Sequence, residues 1–321
     1  MEAFGYTMLQ RPLEALNMIY PHSQLDNTGK ININVRELVG KEGLNRIMKF
    51  TESKQPLARY DYEYREDMLE KYGRIFSPSE IGKYSSKIKN ITQRIMNSNG
   101  VVLIYSQYID GGVLPIALAL EELGFSRAGN VKSLLKESSS PKIDALTMKP
   151  RITGDEPSEE FHPAKYVMIT GDKALSPNSV EDIKLLTSDD NKDGRKVKVV
   201  LISQAGSEGL DLKFIRQVHV LEPWYNMNRI EQIIGRAVRT CSHKDLPFKQ
   251  RNVEIYLYGS ININNKEQEA ADIYVYRLAE LKALQIGNVS RLLKEIAVDC
   301  ILNYEQTGFT IENMKQNIKI E

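Results

Sequence analysis

The run "VKVVLISQAGSEGLDLKFIRQVHVLEPWYNMNRIEQIIGRAVRT", Val197 to Thr240, decides the fold class. It holds two short β-rich segments, Val197–Ile202 and Gln217–Leu221, and then a helix-periodic one, Asn226–Val238. Strands covered by helices on both faces read as continuous apolar runs, because neither face meets water. Outward from this stretch the same alternation repeats. "VVLIY" (101–105) precedes the helical "VLPIALALEELGF", "KYVMI" (165–169) precedes "SVEDIKLLT" (179–187), and "VEIYLY" (253–258) closes the series. Alternating strands and helices predict right-handed βαβ units in an α/β, doubly wound parallel sheet.

The flanks read differently. Residues 1–95 are irregular and helical, with one-faced periodicity in "PLEALNMIY" and "VRELVGKEGLNRIMKF" and loops at Asn27-Thr28-Gly29 and "SKQP" (53–56). Ser77, Pro78 and Glu80 predict the start of a helix that Gly100 closes. Residues 96–262 form the α/β unit, interrupted at about 126–163 by a polar insertion or flexible excursion, and "TSDDNKDGRK" (187–196) reads as a solvated loop. A C-terminal helical extension occupies 263–321, with Gly287-Asn288 ending one helix and Asn288 or Ser290 capping the next.

Composition excludes several function classes. With 41% apolar and 26% charged residues the 321-residue chain is globular rather than disordered. A net charge of +1 draws it to no polyanion as a whole, so a nucleic-acid site must be a local cluster. Two cysteines make no disulfide framework, and Cys241 with His243 supplies two ligand atoms where zinc takes four; no metal site is expected. The chain shows neither a signal peptide nor an apolar run of membrane-spanning length, and the expected setting is intracellular, with no membrane partner.

Ligands of open α/β sheets bind beyond the C-terminal strand ends. The candidates there are Ser106 and Gln107 after "VVLIY", Gly171 after "KYVMI", Ser203 to Asp211 after "VKVVLI", and Glu222 to Asn226 after "QVHVL". Hydroxyls, amides and glycines offer uncharged donors and close backbone approach, which suits phosphates of a nucleic-acid strand. Farther on, Gln232, Arg236 and Arg239 recur at steps of four and three, as on one helix face, with Gly235 leaving room for another backbone. Forked guanidinium donors suit phosphate oxygens.

In order, Gly-x-Glu-Gly-Leu-Asp, Pro-Trp and Gln-x-x-Gly-Arg-x-x-Arg resemble the second RecA-like domain of superfamily 2 helicases. "LIYSQ" looks like that family's motif IV, "MITGD" like IVa, "SQAGSEGLDL" like V and "QIIGRAVR" like VI, over roughly residues 75–260. The texture of "LEPWYNMNRIEQIIGRAVRTCSHKDLP" and of the C-terminal helices resembles helicase-like transcription ATPases of large nucleocytoplasmic DNA viruses. These are relatives of the small subunit of the poxvirus early transcription factor and of poxvirus nucleoside triphosphatase I. The resemblance implies ATP with Mg2+ held between two lobes. It gives Asp211 to the ribose, Gly209 to close approach, Arg236 and Arg239 to the γ-phosphate, and Gln232 to their support. It gives Ser106, Gln107, Gly171, Ser203 and Gln204 to the nucleic-acid backbone, DNA more than RNA, and implies viral transcription in host cytoplasm or virion, with viral RNA polymerase as a partner.

The sequence lacks the other half of such a site. Gly29-Lys30, Gly40-Lys41 and Gly82-Lys83 are its Gly-Lys pairs, and none is followed by Ser or Thr as a phosphate-binding loop requires. Its one Asp-Glu pair, Asp155-Glu156, lies in the polar excursion rather than at a strand end. The chain is expected to be inactive alone and to need an N-terminal motor lobe. It reads as a piece of a larger ATPase or as a stand-alone paralogue without its motor half, and the character of residues 1–95 favours the first. The alternative is a non-catalytic RecA-like interaction module that docks RNA polymerase or a partner subunit.

Overall fold

The computed structural model describes residues 6–25, 33–54, 57–129, 131–151, 161–207, 209–263, 265 and 268–299. Its centre is a six-stranded, all-parallel sheet of β3 (Val101–Tyr105), β4 (Ser126–Arg127), β5 (Lys165–Ile169), β6 (Val199–Ile202), β7 (Ile215–Val220) and β8 (Glu254–Leu257). The spatial order is β4-β5-β6-β3-β7-β8. Every apolar run expected to be a strand is one.

The central strands β3, β5 and β6 are almost wholly apolar because both faces are covered, whereas the edge strand β8 is largely exposed. Val102 and Ile104 enter one core with Ile88, Ile91 and Ile95 of α5 (Ser86–Met96) and Ile116 and Leu120 of α6 (Leu114–Glu122). Val101, Leu103 and Tyr105 enter the other, with Leu186 of α7 (Ser179–Leu186) and Ile230 and Ile233 of α8 (Met227–Ala237). Each buried aliphatic side chain stabilises by roughly 1.5–3 kcal/mol. The sheet is therefore set by its cores, and the polar edge rides on it.

The region before residue 95 is less irregular than expected. Helices α1 (Tyr6–Asn17), α2 (Gly40–Ile47), α3 (Glu66–Tyr72) and α4 (Ile81–Tyr84) frame an antiparallel pair, β1 (Met48–Lys54) with β2 (Leu57–Tyr64). The helical periodicity of "VRELVGKEGLNRIMKF" thus covers a 3-10 turn, a short helix and the start of a strand. "ARYDYEY" has alternating aromatics, and Tyr62 and Tyr64 are buried in the same core as Ile104. The expected helix start at Ser77 is a turn; the helix proper begins after Ser85, whose Oγ accepts from Ile88 N at 3.0 Å.

Three further expectations change. The described part of the 126–163 excursion is packed through Leu134, Leu135, Ile143, Ala145 and Met148. The buried Glu121 carboxylate holds it, accepting from Leu134 N at 2.8 Å and Leu135 N at 2.6 Å. "TSDDNKDGRK" is anchored by the buried Asn191, whose side chain donates to Leu186 O and Val197 O. Finally, α9 (Ala271–Glu295) is one helix and runs unbroken through Gly287, Asn288 and Ser290. Loop glycines and caps become ordinary helix residues where the chain on both sides is strongly helical. The Asp155-Glu156 pair, Glu208, the loop at Asn27-Thr28-Gly29, Gln55-Pro56 and residues 300–321 of the expected helical extension lie outside the described residues. Among the described residues, no helix is long and apolar enough to cross a membrane.

Candidate functional site

Parallel strands send all their C-terminal loops to one edge. The ladder continues past the strand ends, with Ser203 N donating to Ile169 O (3.2 Å), Ser106 N to Ile202 O (3.2 Å) and Leu221 N to Tyr105 O (3.0 Å). The loops after β5, β6, β3 and β7 therefore stand side by side in that order.

Glycines let the first two touch. A Cβ on Gly206 would lie 1.9 Å from the Ile169 carbonyl oxygen, and one on Gly171 would lie 2.7 Å from Ala205 Cβ. No side chain fits at Gly206, so the close approach fixes glycine there. Gly171 is exposed and borders an open depression of about 670 Å³ lined by Thr170, Lys173, Ser176 and Ser179. Beside it, Arg59 of β2 reaches Asp172 at 3.5 Å and Asp110 at 3.4 Å, tying the loops after β5 and β3. Nothing in the aromatic and charged stretch around Arg59 marked it in the sequence.

Two expected surface hydroxyls lie below the surface. Ser106 is buried, and its Oγ stands 2.9 and 3.0 Å from the two oxygens of the Glu222 carboxylate. Ser203 is also buried, and its Oγ has no hydrogen-bond partner among the described residues. What reaches the edge here is Gln107, with Nε2 donating to Pro223 O at 3.3 Å, and Gln204, whose carbonyl accepts from Arg229 Nη2 at 3.3 Å. Gln107, Tyr108, Trp224 and Tyr225 line a cavity of about 200 Å³. Trp224 and Tyr225 lie with ring centroids 4.7 Å apart.

The loop after β6 meets the end of α8. Gly209 is exposed with φ +72°, left-handed backbone that glycine adopts without strain. Asp211 is exposed and accepts from Arg239 Nη1 at 2.9 Å, while Arg236 Nη1 donates to Leu210 O at 3.2 Å. The helix ends at Ala237, so Arg239 lies just beyond it and folds back, with Nε 3.2 Å from Gly235 O. Gln232 is exposed one turn before Arg236. There is room at Gly235: a Cβ there would meet nothing within 4 Å outside its own helix turn among the described residues. The structure thus gathers Gly209, Asp211, Arg236 and Arg239 at one place. Gln107, Gly171 and Gln204 line the neighbouring edge.

A perturbed carboxyl at this edge belongs to Glu222, the first residue of the candidate Glu222–Asn226 loop and one given no individual role in the sequence. Burial raises the Glu222 carboxyl to about 7, against hydrogen bonds from Gln107 N, Asn17 and Ser106 and the charge of Lys87 that favour its anion. Its place directly after a strand was the available signal. No group of three or more His, Cys, Asp or Glu residues that could hold a metal occurs among the described residues.

The family profile described as "Helicase conserved C-terminal domain" matches residues 164–241. The chain is similar to a termination factor NPH-I homolog of African swine fever virus (isolate Tick/Malawi/Lil 20-1/1983). That match is 32% identical over 69% of this chain and 33% of the relative. It is 24% identical to a putative ATP-dependent RNA helicase of Acanthamoeba polyphaga mimivirus, over 96% of this chain and 30% of the relative. Among solved structures, the C-terminal part of the Fun30 ATPase domain aligns with 62% of this chain and 46% of its own, at 13% identity and a TM-score of 0.39. The chain spans about a third of the length of the curated viral relatives it matches.

Proposed function

We propose, for a chain whose residues 164–241 belong to the helicase conserved C-terminal domain family, that it is the C-terminal lobe of a nucleic-acid-dependent ATPase of superfamily 2 acting in viral transcription. One observation carries this reading: Arg236 and Arg239 converge with Asp211 and Gly209 at the sheet edge where the loop after β6 meets α8. Arg239 is exposed there and Arg236 half-buried beside it, so both could complete a site formed with a second lobe.

The donor set fits the anionic half of a nucleotide. Arg236 and Arg239 would hold the γ-phosphate, Gln232 would support them, Asp211 would accept from the ribose, and Gly209 would leave room for it. Bound ATP with Mg2+ supplies the phosphoryl group, and the phosphate-binding loop and metal-holding carboxylates belong to the N-terminal motor lobe. Forked, positively charged donors stabilise charge that spreads over phosphoryl oxygens as the transition state forms. Comparable arginines accelerate hydrolysis by about 10³–10⁵-fold. Gln107, Gly171 and Gln204 would meet the nucleic-acid backbone, with Ser106 and Ser203 acting beneath them rather than by direct side-chain contact. Such contacts position a strand without reading its bases. DNA is the favoured track, viral RNA polymerase the favoured further partner, and host cytoplasm or virion the setting.

A second reading has its own observation. Ile286, Val289, Leu293 and Ile296 are exposed at or just beyond the end of α9, as in a RecA-like module that docks polymerase without catalysis. Mixing the chain with the motor lobe separates the two. DNA-stimulated hydrolysis that needs Arg239 supports the ATPase. Polymerase binding with no hydrolysis, unchanged when both arginines are replaced, supports the module.

A further inference from the structure

A fully buried carboxylate persists only with its oxygens satisfied. Glu222 meets that need from distant parts of the chain. Oε1 accepts from the Gln107 N–H in a short bond and from Ser106 Oγ at 2.9 Å. Oε2 accepts from Asn17 Nδ2 at 2.8 Å. The same Asn17 turns its carbonyl oxygen to Lys87 Nζ at 3.3 Å, and Lys87 pairs with Asp272 Oδ2 at 2.9 Å. Asp272 in turn accepts from Ser260 N at 2.9 Å. A continuous buried chain of polar groups thus runs from the loop after β3 through the end of α1 and through α5 to the start of α9.

Two carboxylates and one ammonium share this network, all almost fully buried. Such a network is costly, and an apolar core of equal volume is often as stable. Its location suggests what the cost secures. Glu222 binds the backbone of Gln107 on one side and precedes Pro223 and Trp224 on the other. The Gln107 side chain then closes onto Pro223 O. The carboxylate is the pin between the two loops whose tips form the aromatic cavity.

We propose that Glu222 is a positioning residue for this edge: its buried carboxylate holds the Ser106–Tyr108 loop in register with the Pro223–Tyr225 turn, and through Asn17, Lys87 and Asp272 it makes that register depend on α1, α5 and α9. This rests on the reading of the edge as a nucleic-acid contact. Protonation removes one acceptor from a carboxylate facing three donors, so the contacts that set this register change when Glu222 exchanges a proton. The charged and titratable groups around it are Lys87 from α5, Asp272 and Tyr276 from α9, Glu14 from α1, and Tyr105, Tyr108 and Arg229 at the sheet edge. Burial raises the three tyrosines above their ordinary value, and they stay neutral near pH 7.

Trp224 is the sole tryptophan and stands two residues from Glu222, so its emission reports on the turn without nucleic acid or nucleotide. The test is a fluorescence titration of the full chain from pH 5 to 9, for wild type, Glu222→Gln and Asp272→Asn, with far-ultraviolet dichroism to establish folding. The wild type is expected to show a step centred near pH 7, where burial places Glu222. Glu222→Gln abolishes the step, and Asp272→Asn moves it to lower pH, because removing a nearby negative charge favours the Glu222 anion. A step that persists in folded Glu222→Gln, or one that Asp272→Asn leaves in place, overturns the proposal. If Glu222→Gln does not fold, the direction of the Asp272→Asn shift decides alone. Binding of a duplex DNA probe, measured in parallel, is expected to weaken about tenfold in Glu222→Gln. Absence of DNA binding by the wild type overturns the nucleic-acid reading and leaves the titration as the test of the positioning role.

Discussion

Arg239 Nη1 lies 2.9 Å from Asp211 Oδ1, joining the chain just past α8 to the loop after β6. Both side chains are substantially exposed, 37% and 72%. An exposed pair of this kind contributes about 0.2–1 kcal/mol. Arg239 is therefore held lightly, and turning it toward a phosphate costs little beside what an arginine contributes to phosphoryl transfer. Asp211→Asn and Arg239→Ala are each expected to change unfolding free energy in urea by less than about 1 kcal/mol, while Arg239→Ala abolishes hydrolysis in the two-lobe assembly.

Gly206 and Gly235 separate glycine required by packing from glycine that is merely present. At Gly206 an added methyl meets the Ile169 carbonyl at 1.9 Å, so Gly206→Ala must move the loop after β6 off β5. A loss of about 1–3 kcal/mol is expected in chemical denaturation. Gly235 lies inside α8 with open space beside it, so Gly235→Ala should stabilise the chain by about 0.5–1 kcal/mol. If the second lobe abuts this face, the same change lowers assembly-dependent hydrolysis.

Glu222 gives stability a pH dependence of definite sign. Its carboxyl is raised from 4.5 to about 7 in the folded chain, so the folded state keeps a proton that the unfolded state releases. Its contribution is fully present below about pH 4.5 and is lost as pH rises through about 7. The loss is of the order of 3 kcal/mol. Asp182, raised to about 6 mainly by burial, adds to the same slope. Unfolding free energy between pH 5 and 8 should therefore fall less steeply in Glu222→Gln than in the wild type.

The sheet was legible in the sequence because its signal is one-dimensional. "VVLIY", "KYVMI" and the core of "VKVVLI" are buried on both faces and carry no polar interruption. The β1–β2 pair was not, because Met48 and Ile47 continue the apolar spacing of α2 and hide the change of period. Within the site, Gly209, Asp211, Arg236 and Arg239 fall in contiguous motifs and lie close together, although Arg239 stands past the end of α8 rather than on the helix face the spacing predicts. The hydroxyls of Ser106 and Ser203 do not face outward, since a residue directly after a buried strand can still be inside it. Asn17 meets Glu222 across 205 residues of chain, and Lys87 and Asp272 extend the network from Asn17, a relation no local pattern encodes. The continuity of α9 through Gly287-Asn288 was missed because helix on both sides outweighs one glycine.

The central claim is that this chain supplies arginines, but no phosphate-binding loop, to a shared ATPase site. It is tested most directly by ATP hydrolysis in an equimolar mixture of the chain with an N-terminal lobe bearing a phosphate-binding loop and an Asp-Glu box. The assay includes duplex DNA and compares wild type, Arg236→Ala and Arg239→Ala. The account predicts negligible hydrolysis by the chain alone, DNA-stimulated hydrolysis by the wild-type mixture, and a loss of about 10³-fold or more with either substitution. Substantial hydrolysis by the pure chain, or an undiminished rate in the mixture after both arginines are replaced, would contradict it.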